Sequence, residues 1–177
     1  MSTQNAIQLS SVSKTFDGFK ALSDADFTAR WGEVHALLGE NGAGKSSLMN
    51  IAAGLYAPET GSLFIDDNPV RLKGPLDAAA QGIGMVHQHF SLAKNLTVLE
   101  NVMTGTEPLL GWKSDTAKGR QKLRALEQKF GLSVDADARV GDLSVGEQQR
   151  VEIVKALYHG AELLILDEPT AVLTPQE

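Results

Sequence analysis

The stretch Gly39-Glu40-Asn41-Gly42-Ala43-Gly44-Lys45-Ser46 decides the fold. It matches the pattern G-x-x-x-x-G-K-[ST] at every fixed position, which is typical of a loop whose backbone N–H groups cradle a β-phosphate. In such a loop the lysine reaches the β- and γ-phosphates, and the serine hydroxyl holds Mg²⁺. The predicted nucleotide-binding residues are Gly39, Glu40, Asn41, Gly42, Ala43, Gly44, Lys45, Ser46 and Ser47.

The segments around this loop agree with the prediction. Residues 34–38 form a nearly continuous apolar run, which predicts a strand covered on both faces, and a helix is expected over residues 45–53. Alternating patterns predict further strands over residues 7–16, 27–30 and 62–65. The front third of the chain therefore indicates a small antiparallel sheet beside a parallel core.

The middle of the chain is mainly helical. The predicted elements are a strand over residues 82–87 and helices over residues 97–103, 114–130 and 144–159. The first of these helices begins with a capping box, in which Thr97 is the cap and Glu100 the reciprocal partner. On the second helix, Leu123, Leu126 and Phe130 share one face, so we expect that face to be buried.

Two acidic residues, Asp167 and Glu168, follow an unbroken apolar strand expected over residues 163–166. Ligands of open α/β sheets bind at the carboxyl ends of the strands. One acid can hold Mg²⁺ through water while the next polarises an attacking water. On its own the pair could equally mark the end of a strand, but the phosphate loop favours the catalytic interpretation.

A third motif, Leu143-Ser144-Val145-Gly146-Glu147-Gln148-Gln149-Arg150, lies before the acidic strand. By itself it predicts a helix that begins after a serine cap. Together with the phosphate loop and the acidic strand, in this order and over essentially the whole chain, it resembles the signature motif of the ABC-type ATPases.

The resemblance implies roles for further residues. Phe16 falls where the family places an aromatic that stacks on adenine, although a core phenylalanine would also explain it. Gln88 and Glu168 are the implied catalytic residues, and Glu168 orients or deprotonates the attacking water. The implied Mg²⁺ ligands are Ser46, Gln88 and Asp167. The implied contacts to nucleotide held by a second ATPase domain, paired head to tail, are Ser144, Val145, Gly146, Glu147 and Gln148.

Two stretches, residues 85–90 and 168–177, resemble the first ATPase half of importers for simple sugars or nucleosides. Those importers carry two ATPase domains in one polypeptide, so the resemblance implies that this chain is an N-terminal fragment. Thr174 departs from the family, which usually has an aspartate there, and the switch histidine expected after Glu168 is not in the chain. Thr174 therefore leaves open that this half is mainly a regulatory nucleotide-binding module.

We predict one incomplete α/β P-loop domain of the ABC ATPase type. It has a mostly parallel core sheet, an N-terminal antiparallel β subdomain and a helical subdomain insertion. Residues 1–87 and 160–177 are expected to form the nucleotide-binding core, and residues 88–159 the helical subdomain with the signature helix. The resemblance also implies that residues 90–103 line a groove for a coupling helix of a membrane partner.

The implied function is ATP hydrolysis, with ATP and Mg²⁺ as cofactors, that drives import of a simple sugar or nucleoside. The implied partners are transmembrane permease subunits, a second ATPase domain and, indirectly, an extracytoplasmic solute-binding protein. The implied location is the cytoplasmic face of the inner membrane, as a peripheral protein. The fragment alone is expected to hydrolyse ATP poorly. The alternative is a soluble ABC ATPase that acts in translation or DNA repair, which would share the same ATP-site motifs.

Composition narrows these alternatives. The net charge is 16 − 22 = −6, which argues against a nucleic-acid partner because such partners require clustered Lys and Arg. The absence of cysteine excludes disulfides and thiolate metal sites. The first residues lack the layout of a secretory signal, and no apolar run approaches the roughly 18 residues that span a bilayer. His87 and His89 form a His-x-His pair, but a metal site would need a third ligand.

Overall fold

The computed structural model describes residues 4–87, 90–105 and 115–167. They belong to two compact units, Met1–Ile83 and Gly84–Glu177. Among the described residues, no helix is both long enough and apolar enough to cross a membrane.

A four-stranded antiparallel sheet organises the first unit, with strand order β2-β1-β3-β4. The elements in chain order are β1 (Asn5–Phe16), β2 (Phe19–Arg30), α1 (Lys45–Ala52), β3 (Thr60–Ile65), β4 (Asn68–Val70) and α2 (Pro75–Ala80). Two-residue turns connect paired strands: φ is 47° at Asp17 and 84° at Gly18, and 52° at Asp66 and 61° at Asp67. Such left-handed turns match the twist of the flanking strands. The predicted antiparallel sheet is confirmed.

Strand β2 is longer than predicted, because it pairs with β1 from Phe19 onward. The register of the pair shifts between Val12 and Lys14, beside Asp24, whose φ is 52°. A bulge of this kind moves side chains to the opposite face, so it interrupts the alternation on which the prediction depended.

Helix α1 packs on the sheet through its apolar side. Its residues Leu48, Ile51 and Ala52 are buried, and so are Ile7 and Leu9 of β1. Burial of a side chain such as Leu9 contributes about 1.5–3 kcal/mol. The helix begins at Lys45 as predicted, so the phosphate loop ends on a packed element.

The strand predicted over residues 34–38 is wrong. The backbone from residue 33 to residue 40 has no regular secondary structure, and Val34 and Leu38 have relative exposures of 103% and 87%. An apolar run becomes a buried strand only where neighbouring strands supply hydrogen bonds and other elements cover both faces. In the part of the chain that is described, this run is not among the strands of the antiparallel sheet.

In the described residues of the second unit, two strands accompany three helices. The elements are β5 (Ile83–Val86), α3 (Val98–Met103), α4 (Thr116–Phe130), a 3₁₀ turn (Val140–Asp142), α5 (Val145–Tyr158) and β6 (Leu163–Leu166). Strands β5 and β6 pair with each other. They run in the same direction, because Gly84 lies beside Leu164 and the Val86 carbonyl accepts a hydrogen bond from the Asp167 N–H. The predicted strands and helices at these places are confirmed, with ends shifted by a few residues.

The three helices enclose their own hydrophobic core. Its buried members are Val98, Leu99, Val102, Met103, Leu123, Val140, Val151, Val154 and Tyr158. Leu126 is partly buried against this core, but Phe130 is 44% exposed, so the predicted apolar face of α4 ends before its last residue. Gly119 lets α4 approach α3 closely, since a Cβ there would collide with the Met103 side chain.

Candidate functional site: a phosphate loop and a second capped helix

The phosphate loop is shaped by glycines in the left-handed region. Gly42 has φ 84° and Gly44 has φ 86°, values that L side chains rarely adopt. A Cβ on Gly44 would also lie 2.6 Å from the Ala21 carbonyl oxygen and 2.9 Å from Cδ2 of Leu22. Gly44 therefore anchors the end of the loop directly on β2, in a position that only glycine fits.

Lys45 folds back over the loop that precedes it. Its ammonium donates hydrogen bonds to the carbonyl oxygens of Gly39, at 2.6 Å, and Glu40, at 2.7 Å. Helix α1 begins immediately after Gly44, with no side-chain cap and no acidic residue in its first turn. The positive end of the helix dipole and the lysine charge thus lie at the same loop.

These features fit a phosphate group. The loop combines a flexible cation, a helix N-terminus without a competing carboxylate, and glycines that let the backbone approach closely. Gly39 differs from Gly44, because a Cβ there would lie at ordinary contact distances, 3.6 Å from the Ala43 Cβ and 3.7 Å from Lys45 Cδ. The arrangement can bind the β- and γ-phosphates of a nucleotide, with the Lys45 ammonium exchanging carbonyl for phosphate oxygens.

Phe16 lies at the end of β1, near the phosphate loop. In the pair of β1 and β2, Lys14 lies opposite Leu22, the residue on which Gly44 packs. Phe16 lies two residues further along β1 than Lys14, which places it on the order of 10 Å from Gly44. Its ring is partly exposed, and the Lys14 ammonium lies 5.5 Å from the ring centroid. An aromatic surface at this distance from the loop suits a base attached to bound phosphates.

Tyr56 is a neighbour of Phe16 that sequence reasoning missed. The two rings meet edge to face with centroids 5.1 Å apart, a geometry that aromatic pairs prefer. Next to Phe16, the Thr15 N–H donates to the Glu59 carboxylate at 3.0 Å. Tyr56 and Glu59 therefore fix the end of β1, and no local pattern marks either residue for that role.

The signature motif forms the start of α5. Ser144 is the N-cap, and a capping box links it to Glu147. The Ser144 hydroxyl donates to the Glu147 carboxylate at 2.7 Å, and the Ser144 N–H donates to the same oxygen at 2.8 Å. These bonds hold the pKa of the exposed Glu147 carboxyl below its ordinary value. Gln148 caps the preceding turn by donating to the Leu143 carbonyl at 2.9 Å.

The acidic strand ends as the sequence predicts. Asp167 follows β6, and its N–H donates to the Val86 carbonyl at 3.0 Å, so β5 and β6 end side by side.

Gln88, Glu168 and Thr174 lie outside the described residues, as does His89 of the His-x-His pair. In the described ranges no cluster of three or more His, Asp or Glu side chains could hold a metal ion. Hydroxyl, amide and carboxylate oxygens such as those of Ser46, Gln88 and Asp167 are the donors that Mg²⁺ prefers.

Several curated proteins resemble this chain over its length. It is 49% identical over 177 residues to the nucleoside import ATP-binding protein NupA of Lactococcus lactis, and covers 35% of that protein. It is 46% identical over 171 residues to the guanosine import ATP-binding protein NupO of Bacillus subtilis, covering 97% of this chain and 34% of NupO. The glucose import ATP-binding protein TsgD13 of Haloferax volcanii is 43% identical, with all of this chain and 37% of that protein covered. The chain thus spans about a third of the length of these relatives.

Solved structures agree with the sequence relatives. The ADP conformation of MJ1267, an ATP-binding cassette of an ABC transporter, matches with a TM-score of 0.84 and 27% identity over 98% of this chain and 72% of that chain. The dimeric structure of MJ0796, a bacterial ABC transporter cassette, matches with a TM-score of 0.76 and 29% identity over 96% of this chain and 77% of that chain. The predicted fold class, a P-loop domain of the ABC ATPase type, is confirmed. Residues 22–171 match the family described as ABC transporter, and this chain therefore belongs to that family.

Proposed function

We propose that the protein to which this chain belongs binds and hydrolyses ATP to drive import of a nucleoside or simple sugar. The observation that carries the proposal is the phosphate loop, where Lys45 and the uncapped start of α1 provide positive charge at one place. The relatives named for nucleoside, guanosine and glucose import support the solute class.

The proposed reaction is an in-line attack of a water oxygen on the γ-phosphorus. The bond from that phosphorus to the bridging oxygen breaks, and ADP and phosphate leave. Lys45 binds the β- and γ-phosphate oxygens and neutralises the charge that develops on them. Glu168 receives the proton of the attacking water, and Gln88 orients that water. Mg²⁺ would supply further positive charge, with Ser46, Gln88 and Asp167 as its ligands.

We propose that Phe16 stacks on the adenine ring, with the loop residues 39–47 around the phosphates. The partly exposed ring of Phe16 and its support by Tyr56 favour this role over a purely structural one. Ser144, Val145, Gly146, Glu147 and Gln148 are proposed to contact the nucleotide of a second ATPase domain. The dimeric MJ0796 cassette supports such pairing.

The proposed partners are permease subunits in the membrane, a second ATPase domain in the same polypeptide and, indirectly, an extracytoplasmic solute-binding protein. The protein would then act peripherally, at the cytoplasmic face of the membrane. We also propose that residues 88–159 form the helical subdomain and that residues 1–87 and 160–177 form the nucleotide-binding core. The separate hydrophobic core of α3, α4 and α5 supports this division.

Glu168→Gln in the full-length protein tests the hydrolysis mechanism. A general base contributes about 10²–10⁴-fold, so turnover by this half should fall by at least about 100-fold while ATP affinity stays unchanged. The matched control is Glu162→Gln, at an exposed residue before β6, which should leave turnover unchanged. Normal turnover in Glu168→Gln would remove Glu168 from the catalytic role.

Affinity purification of the full-length protein from detergent-solubilised membranes tests the import function. Multi-span membrane proteins should purify with it, and mass spectrometry would identify them. Recovery only with ribosomes or DNA-processing proteins would leave the ATP chemistry intact and overturn the import proposal.

A further inference from the structure

Residues 90–97, here called the strap, lead into α3 without regular secondary structure. Ser91, Ala93 and Lys94 are exposed, whereas Leu92 between them packs against the helical core. An exposed irregular segment ordinarily has few fixed backbone hydrogen bonds. The strap departs from this expectation, since hydrogen bonds from other elements hold several of its backbone groups.

Asn101 of α3 fixes the centre of the strap. Its side-chain oxygen accepts from the Ala93 N–H at 2.8 Å, and its side-chain nitrogen donates to the carbonyls of Ala93 and Thr97, both at 3.0 Å. The Asn101 side chain is almost completely buried, with 2% relative exposure. A buried amide with all these bonds satisfied specifies one backbone path for the strap.

The strap is also bonded to both flanks of the signature motif. Before the motif, the N–H of Gly141 donates to the Lys94 carbonyl at 2.9 Å, and the N–H of Val140 donates to the Leu96 carbonyl at 3.1 Å. After the motif, the Glu152 carboxylate of α5 accepts a hydrogen bond from the Ser91 N–H at 2.6 Å. The strap is therefore hydrogen-bonded to residues on both sides of the signature motif, and Glu152 provides the bond on the side of α5.

We propose that Glu152 is a positioning residue that makes the strap and the signature helix move as one body. This inference rests on the proposed function, with permease subunits as partners, and on the expectation from the family resemblance that residues 90–103 line a groove for a coupling helix of such a partner. A displacement of the strap would then be transmitted to α5, and through α5 to the serine cap of the signature. Glu152 touches no nucleotide in this scheme, and its effect passes entirely through the Ser91 N–H.

Glu127 offers a matched control within the same unit. Its carboxylate accepts a hydrogen bond from the Val134 N–H at 2.9 Å. Like Glu152, it therefore connects a helix to a loop through a bond to a backbone N–H. That bond joins the end of α4 to the loop that follows α4, and it involves neither the strap nor α5. Loss of the Glu127 bond should cost local stability without changing communication with the strap.

The test uses full-length protein, alone and assembled with the membrane subunits that purify with it. Glu152→Gln keeps the reach of the side chain and an oxygen acceptor, whereas Glu152→Asp keeps the charge and shortens the reach. In Glu152→Asp and Glu152→Ala we expect stimulation of ATPase activity by the membrane subunits to fall by about fivefold or more. Basal ATPase kcat and KM should stay within about twofold of the wild type, and Glu152→Gln should keep most of the stimulation.

Hydrogen exchange of the strap measures the bond directly. Exchange at Ser91 should accelerate in Glu152→Asp and remain slow in Glu152→Gln and Glu127→Ala. This readout needs neither ATP hydrolysis nor a membrane partner, so it distinguishes failure of this inference from failure of the proposed function. If Glu152→Ala does not fold, the aspartate and glutamine variants still decide.

Either of two results in the ATPase measurements would overturn the proposal. One is stimulation in Glu152→Asp equal to that in Glu127→Ala, which would make the bond merely structural. The other is a loss in Glu152→Gln as large as in Glu152→Asp, which would mean that an oxygen acceptor at full reach does not preserve the effect, so the Ser91 bond would not account for it. A wild-type protein without ATPase activity would instead contradict the proposed function, and unaltered Ser91 exchange in Glu152→Asp would still refute the link.

Discussion

Helices α1 and α5 both start at a motif that we assign to phosphate, but their first turns are built in opposite ways. At α1 the cap is Gly44, no side chain caps the helix, and the first turn has no acid. At α5 the cap is Ser144, and Glu147 completes a capping box. The positive end of the α1 dipole can therefore interact with an external anion. At α5, a carboxylate of the protein already compensates the positive end of the helix dipole. The difference favours the proposal that α1 binds phosphate by itself and that α5 contributes only to a shared site.

Lys45→Ala should have the largest effect, because it removes the one flexible cation at α1. Charge-assisted hydrogen bonds to phosphate are about twice as strong as neutral ones, so ATP affinity should fall by at least about 100-fold. Isothermal titration of the full-length protein measures this loss. Because the proposed second ATPase domain would bind ATP too, the titration should be fitted for two sites. Unchanged affinity at both sites would refute the phosphate-loop assignment.

Ser144→Ala should have a smaller effect on binding and a measurable effect on stability. Loss of a serine N-cap costs about 1 kcal/mol. Thr97→Ala is the matched control, because Thr97 caps α3 with the same box but carries no proposed nucleotide contact. Both variants should lose similar stability in urea unfolding, and only Ser144→Ala should also weaken ATP-dependent pairing of the ATPase domains. Equal pairing in the two variants would contradict a nucleotide role for Ser144.

Sequence reasoning located these helix starts well, because capping depends on residues three positions apart. The Thr97–Glu100 box is present as predicted, and Ser144 caps α5 as predicted. The short phosphate-loop helix also begins where the pattern places it. Local chemistry of this kind is fully contained in the sequence window that specifies it.

Features that depend on distant partners were not predictable. The Glu152 bond to the Ser91 N–H joins residues 61 positions apart, and no local pattern announces it. The apolar run over residues 34–38 was misassigned for the converse reason, since a strand requires neighbours that a local window does not reveal. Helix α2, with Pro75 at its start, was also missed, because its six residues are too few for a clear period.

Glu147→Gln should have a modest and opposite effect. It removes one negative charge beside the proposed trans phosphate while an amide can still accept from Ser144. Screened repulsion between nearby exposed charges predicts that ATP-dependent pairing becomes tighter by about threefold. Glu100→Gln is the control on α3, and it should leave pairing unchanged. Weaker pairing in Glu147→Gln would mean that the carboxylate itself contributes to the shared site.

The smallest expected effect is on the pH dependence of the free energy of unfolding. The start of α5 should contribute to this dependence through Glu147, whereas the start of α1 should not. Hydrogen bonds from Ser144 hold the pKa of Glu147 below its ordinary value of 4.5. Between the pKa of the folded state and that of the unfolded state, the unfolded state therefore binds more protons than the folded state. The stability from this group is complete above pH 4.5 and is lost as the pH falls through the lower folded pKa.

Urea unfolding at a series of pH values from 6 to 3 should therefore show a shallower loss of stability in Glu147→Gln than in the wild type. Glu100→Gln should flatten the curve in the same direction, because the Thr97 box lowers the pKa of Glu100 as well. Lys45→Ala should not flatten it, since the first turn of α1 has no acid to titrate. A wild-type slope in Glu147→Gln would mean that the box does not persist in solution. The start of α5 would then be as open to an external anion as the start of α1.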